Sequence, residues 1–234
     1  MGTSASNKGG TGGGWTGFKR NATLFAKYGG QQRVARTLAG YVAAMGGAGA
    51  AASAATAGTQ TGQSLGAFLA GSTGPNGLAS GLEAVGLGHL IGEDRFTVLS
   101  ELVTTFGGTG SDLEAQAARA ALLDTLDELL PEGEEVQLDS VQLDEAAITE
   151  ALCRYLSALV YNRAIPVIDE RLTRLQNQPL AQQRDRELRD YIDALVRLHM
   201  QDASPLGIDW QGPDGRGFVE GILRAVYDQL EEWE

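Results

Sequence analysis

From residue 111 onward the apolar side chains return every three or four positions, and nowhere in the chain do they alternate with period two over the length of a strand. A helix of 3.6 residues per turn needs the first spacing to keep one face dry, and a half-buried strand needs the second. Ser111-Asp-Leu-Glu114 reads as a capping box, in which the Ser111 hydroxyl accepts an early backbone N–H and Glu114 reaches back. Behind it Ala115, Ala118, Leu122, Leu126 and Leu129 share one face until Pro131. A long helix is expected from about Leu143, burying Ile148, Leu152, Leu156, Leu159 and Val160. Pro166 lacks an N–H and disfavours α geometry at Ile165, so a break or kink is expected there. Ile168, Leu172 and Leu175 continue the pattern beyond it. Leu188, Ile192, Leu195 and Leu198 mark a helix over 180–201. Ser204-Pro205 and Gly212-Pro-Asp-Gly215 mark a turn-rich connection, and Val219, Ile222, Val226, Leu230 and Trp233 mark a last helix over 216–232. The expected fold class is all-α: a multi-helix bundle with a flexible Gly-rich N-terminal tail and a Gly/Ala-rich helical middle region.

Charge and glycine divide the chain. Residues 1–92 carry six basic side chains (Lys8, Lys19, Arg20, Lys27, Arg33 and Arg36) against one acid, Glu83, whereas residues 93–234 carry twelve basic and twenty-nine acidic ones. Of 32 glycines, 26 precede position 111. Three regions are expected on this basis: a flexible Gly/Ser-rich tail over 1–30, a small-residue helical region over 31–110, and an acidic α-helical domain over 111–234. Residues 1–17 hold almost nothing that burial could use to offset the entropy of ordering. Trp15 and Phe18 are the large apolar groups able to anchor the tail locally. A helix is expected over 31–45, with Val34, Leu38, Tyr41 and Val42 on one side and Gly46-Gly47 ending it. Further helices fit 48–57, Ser64 to Ala70, Leu78 to Ile91, and Phe96 to Phe106, and residues 132–142 read as an acidic linker. Gly58, Gly62 and Gly66 recur every four residues. They either let helices approach closely or serve only as loops and joints, and close packing is the reading adopted.

The totals restrict partners. A net charge of −12 argues against direct nucleic acid binding, or adsorption to an anionic membrane surface, through the folded part. Six scattered cations near the N terminus are a weak footprint. The lone cysteine, Cys153, allows no intramolecular disulfide, and no charged segment followed by an apolar one opens the chain. A cytoplasmic setting is expected. Residues 37–82 contain no charged side chain, but Ala, Gly, Ser and Thr dominate them, so no stable membrane span is expected. A membrane-active effector that inserts this segment on activation stays open as an alternative.

No constellation announces catalysis. Gly12, Gly14 and Gly17 satisfy G-x-G-x-x-G, but no strand precedes them, and Phe18 stands where a phosphate-loop lysine is required. His89, expected as partly buried, and His199, expected at a helix boundary, lack the spacing of a metal site. Cys153, on an amphipathic helix beside Arg154, reads as a small core residue ahead of a nucleophile. Glu134-Glu135 and the closing Glu231, Glu232 and Glu234 read as solvated carboxylates. Arg184, Arg186 and Arg189, alternating with acids, read as an exposed helix face. No catalytic, cofactor-binding or metal residue is assigned, and no cofactor is expected. An enzyme with an unrecognised site in the helical domain is the alternative. Loss of Met1 would expose Gly2 as an unhindered amine titrating near neutrality, and the Met-Gly opening with Ser6 also fits a myristoylation pattern. Cleavage near Gly9-Gly10 would expose an equivalent amine. Gly2, Gly9 and Gly10 are thus candidate modification or processing positions. Trp15, Trp210 and Trp233 are candidate partner contacts, with core packing the alternative for the last two.

Several segments together resemble the B component of the Qat anti-phage defence systems of bacteria. They are MGTSASNKGGTGGG at the start, the Gly/Ala-rich middle, GLEAVGLGHLIGEDRF (81–96), LCRYLSALVYNRAI (152–165), RELRDYI (186–192) and GIDWQGPDGRGFVEGIL (207–223). Such systems pair this component with an ATPase, a QueC-like enzyme and a TatD-like nuclease. QueC-like enzymes activate deazaguanine carboxylates with ATP. The resemblance therefore implies a non-catalytic subunit whose Gly-rich N terminus is presented to the QueC-like partner for processing or modification, and whose helical body docks the ATPase.

Overall fold

The computed structural model describes residues 13–131, 138, 141–175 and 177–233. Among them are ten α-helices and no strand: α1 Gly13–Tyr28, α2 Gln31–Ala44, α3 Ala48–Ser53, α4 Thr56–Gly71, α5 Gly77–Ala84, α6 Arg95–Gly107, α7 Leu113–Leu129, α8 Glu145–Thr173, α9 Gln178–Met200 and α10 Pro213–Glu231. Short 3₁₀ turns occupy Gly88–Leu90 and Pro205–Gly207. The all-α class read from the apolar spacing is the observed one. Two compact units divide the chain. The first takes the residues up to Ser53, Ala164–Tyr191 and those from Arg224 on; the second takes Ala54–Arg163 and Ile192–Leu223. Composition placed the boundaries at 30 and 110 because it records what a segment is made of. Packing instead joins segments far apart in sequence, and α8, α9 and α10 each contribute residues to both units.

Within the first unit, α1 occupies positions 13–28, which composition assigned to a flexible tail. Phe18, Ala22, Phe25 and Ala26 recur at helical spacing and are all buried, against Val34, Leu38, Tyr41 and Val42 of α2. The rings of Phe18 and Tyr41 meet edge to face with centroids 5.6 Å apart. Gly14 faces the Ala44 backbone and Gly40 faces that of Phe18, a pairing that only antiparallel helices produce. Gly29 and Gly30 make the reversal with φ of 61° and 93°, in the left-handed region where a side chain is strained. Long-range partners hold the turn. The Gly30 N–H donates to Glu187 Oε2 at 2.8 Å, and Arg184 Nη1 pairs with Glu187 Oε1 at 2.6 Å, directly over Gly29. Arg184 is therefore buried, a correction to its reading as part of an exposed face; Arg186 and Arg189 are exposed.

Within the second unit, the glycines of α4 pack closely. A Cβ on Gly58 would collide with Leu159, one on Gly62 with Tyr155 and Val219, and one on Gly66 with the Trp210 ring. Tyr155 is fully buried, and its hydroxyl donates to the Gly58 carbonyl at 2.7 Å. Trp210 Nε1 donates to the Pro205 carbonyl at 2.9 Å, and Gln63 Nε2 donates to the carbonyls of Trp210 and Gly212. The phenol, indole and amide groups that the close approach buries thus have partners. The cap of α7 differs from the expected one. Asp112, not Ser111, accepts the Ala115 N–H at 2.8 Å. Glu114 does not reach back but lies 2.8 Å from Arg163, whose side chain is 1% exposed. Burial pushes the Glu114 carboxyl upward while Arg163 pulls it down. Burial is the larger effect, and Arg163, whose guanidinium cannot shed its own charge, opposes it by favouring the carboxylate form. Pro166 does not end α8, which continues to Thr173.

Four substitutions turn this packing into stability outcomes. Gly62→Val, by overpacking Tyr155 and Val219, should cost about 1–3 kcal/mol. Gly221→Ala, on an exposed stretch of α10 with nothing near the new methyl, should stabilise by about 0.5–1 kcal/mol. Glu114→Ala removes the carboxylate 2.8 Å from the buried Arg163 guanidinium and should cost about 3 kcal/mol, with Glu114→Gln costing less. Denaturant unfolding of the four proteins against the parent measures all of these.

Candidate functional site

The close crossing of α1 and α2 leaves a concavity beside it. On α1, Gly17, Arg20, Asn21 and Leu24 fall at i, i+3, i+4 and i+7; on α2, Arg33, Arg36 and Gly40 fall at i, i+3 and i+7. These faces, with Trp233 just beyond α10, line a cavity of about 600 Å³ within the first unit. Asn21 Nδ2 donates to the Arg36 carbonyl at 3.0 Å and fixes the crossing. Arg33 Nη1 donates to the Gly29 carbonyl at 3.0 Å, and its guanidinium lies 5.3 Å from the centre of the Tyr28 ring. Arg20 and Arg36 have no ion-pair partner among the described residues, and no carboxylate is among the described residues lining the cavity. Three like charges are therefore gathered with no acid beside them among the described lining residues. Sequence reading counted these arginines among six scattered cations. The signal that could have grouped them is the i, i+3 spacing of Arg33 and Arg36 inside a helix, opposite another helix with no acid.

The candidates named from sequence distribute as follows. Gly2, Gly9, Gly10 and Gly12 lie outside the described residues, as do Glu134, Glu135 and Glu234. Gly14 and Gly17 are already inside α1, so they form no phosphate loop ahead of a helix. Trp15 is half-buried and rests on Phe18, with ring centroids 5.9 Å apart. Trp210 is 4% exposed and belongs to the core of the second unit, packed edge to face on Phe218. Trp233 is 47% exposed and belongs to the first unit, where it lines the cationic cavity. Glu231 is engaged, its Oε2 accepting the Ala48 N–H at 3.2 Å.

His89 is exposed rather than partly buried, because the 3₁₀ turn that carries it points it away from Leu90 and the core. His199 sits half-buried in the last turn of α9, near the carbonyls expected to attract it. Cys153 is buried, and burial pushes its thiol up to about 11. Arg197 pulls the other way but is held by Glu150 and Asp193 at 2.6 Å each. A thiol so placed is not a nucleophile at neutral pH. Among the described residues no group of three or more His, Cys, Asp or Glu could hold a metal ion, and no helix is long and apolar enough to cross a membrane. The uncharged stretch 37–82 is instead divided over α2 to α5.

A family model described as Qat anti-phage system associated protein QatB matches residues 46–230. The chain belongs to that family and is a component of the Qat anti-phage defence system. No curated protein and no solved structure matches it. Every residue lining the cationic cavity lies outside the matched span.

The Cys153 environment sets a chemical expectation. The folded protein should resist iodoacetamide at pH 8, with alkylation rising sharply once denaturant opens the helix, as read by peptide mass. Rapid alkylation of the native protein would contradict the burial described above.

Proposed function

We propose that this Qat component works as a holder rather than a catalyst: it presents its Gly-rich N-terminal segment to the QueC-like enzyme while its helical body docks the ATPase of the same system. The observation that carries this reading is the anchoring of α1. Immediately after the Gly-rich opening, Phe18, Ala22 and Phe25 are fully buried, so residues 1–12 are tethered directly to a folded body. Twelve residues span at most about 40 Å when extended, enough to enter a neighbouring enzyme's site. Glycine suits that task because it has no Cβ to clash with the walls of a narrow channel.

The chemistry is that of an amine acylation. A QueC-like enzyme joins a carboxylate to the AMP portion of ATP, releasing pyrophosphate; an α-amine at Gly2, or one freed by cleavage at Gly9 or Gly10, attacks the activated carbonyl. An amide bond forms, AMP leaves, and the amine gives up a proton. An α-amine with a pKa near 8 supplies a useful unprotonated fraction at neutral pH, which a lysine does not. The TatD-like nuclease is a further candidate partner, and Trp15 and the exposed Trp233 offer apolar contacts for the partners.

Intact-mass measurement of the protein made with and without the QueC-like enzyme tests the reading. A mass gain confined to the N-terminal peptide is expected, lost on deletion of residues 2–12 while the far-UV helical signal is kept. Identical masses with both partners present would remove it.

A further inference from the structure

We propose that the cavity between α1, α2 and Trp233 binds the phosphate group of a small ligand, a nucleotide being the class whose size and ring suit it best. The inference is independent of the tail reading, since none of the lining residues lies in positions 1–12.

Charge is the first argument. In a chain of net charge −12, one cavity gathers Arg20, Arg33 and Arg36 without a carboxylate among its described lining residues. Elsewhere Arg163 and Arg197 each have an acid within 3 Å. Arg20 and Arg36 have none among the described residues, so their forks remain available, and a guanidinium fork matches the oxygens of a phosphate.

Shape is the second. A volume of about 600 Å³ falls in the range of small-molecule sites and fits a mononucleotide. Three cations in a concavity do not make the extended stripe that a nucleic acid backbone requires. Gly17 opens the floor, because a Cβ there would meet nothing within 4 Å, so a ligand can approach the α1 backbone. Trp233, about half exposed, offers an indole face to a planar ring. Asn21 has its amide N–H committed to Arg36, which leaves Oδ1 to accept from a ligand donor.

The experiment uses the full-length protein and calorimetric titration with four probes: ATP, AMP, inorganic pyrophosphate and a Glu-rich peptide. Saturable binding of a phosphate probe at one site per chain is expected, weakened at least tenfold in the Arg20→Ala/Arg36→Ala double variant. Gly17→Leu should also abolish it by filling the space. Because leucine favours helix over glycine, that variant should melt no lower than the parent, which separates lost binding from lost folding. Tighter binding of ATP or AMP than pyrophosphate assigns the ring contact to Trp233, and equal binding assigns the affinity to the arginines alone; both support a phosphate site. Absence of binding by all three phosphate probes, binding unaffected by both variants, or preference for the acidic peptide would overturn it.

Discussion

Three missing side chains on α4 set the geometry of the larger unit. With hydrogen in place of Cβ at Gly58, Gly62 and Gly66, the helix accepts Leu159, Tyr155 and Trp210 directly against its backbone. Close approach buries backbone carbonyls and polar side-chain atoms, and each must then be matched. Tyr155 answers the Gly58 carbonyl, and Gln63 bonds two carbonyls of the 210–212 turn. Glycine in a helix interior costs stability by itself, so its use here is repaid by large aromatic surfaces removed from water. The same device recurs in smaller form between α1 and α2, where Gly14 and Gly40 let two backbones meet.

How legible this was in the sequence depended on what each residue's neighbours in space contribute. Apolar periodicity revealed α2, α7 and α10 to within a few residues, since a helix face is a local pattern. The recurrence of Gly58, Gly62 and Gly66 also pointed to close packing, although not to the residues they face. Locality failed in three places. The N-terminal composition concealed α1, because four spaced apolar groups suffice once α2 lies alongside. The capping-box pattern names Ser111 and Glu114, but Asp112 caps and Glu114 serves Arg163, forty-nine positions away. Arg184 looked solvated among alternating charges and is buried over a glycine turn. The cationic cavity was hidden for the same reason: Arg20 and Arg33 become neighbours only through an antiparallel turn.

Membership of the Qat family rests on residues 46–230, most of the helical body, whereas the α1–α2 hairpin lies ahead of that span. The two portions also differ in electrostatics. The body carries the acids, and the hairpin carries cations without any acid of its own. Within a defence complex such an asymmetry lets one polypeptide meet anionic and cationic surfaces at different places without the two competing.

The clamp on the Gly29–Gly30 turn comes from Arg184 and Glu187, more than 150 positions downstream. During synthesis the hairpin leaves the ribosome long before these residues exist, so it waits without its lock. Only a ribosome that has translated past residue 187 can close the first unit, and Glu231, which caps α3, sets the requirement later still. Prematurely terminated chains would therefore carry the hairpin without the clamp on its turn, an unfinished unit open to cellular quality control. The oldest part of each molecule is the last to become sound, which ties the folding of its first unit to completion of the whole polypeptide.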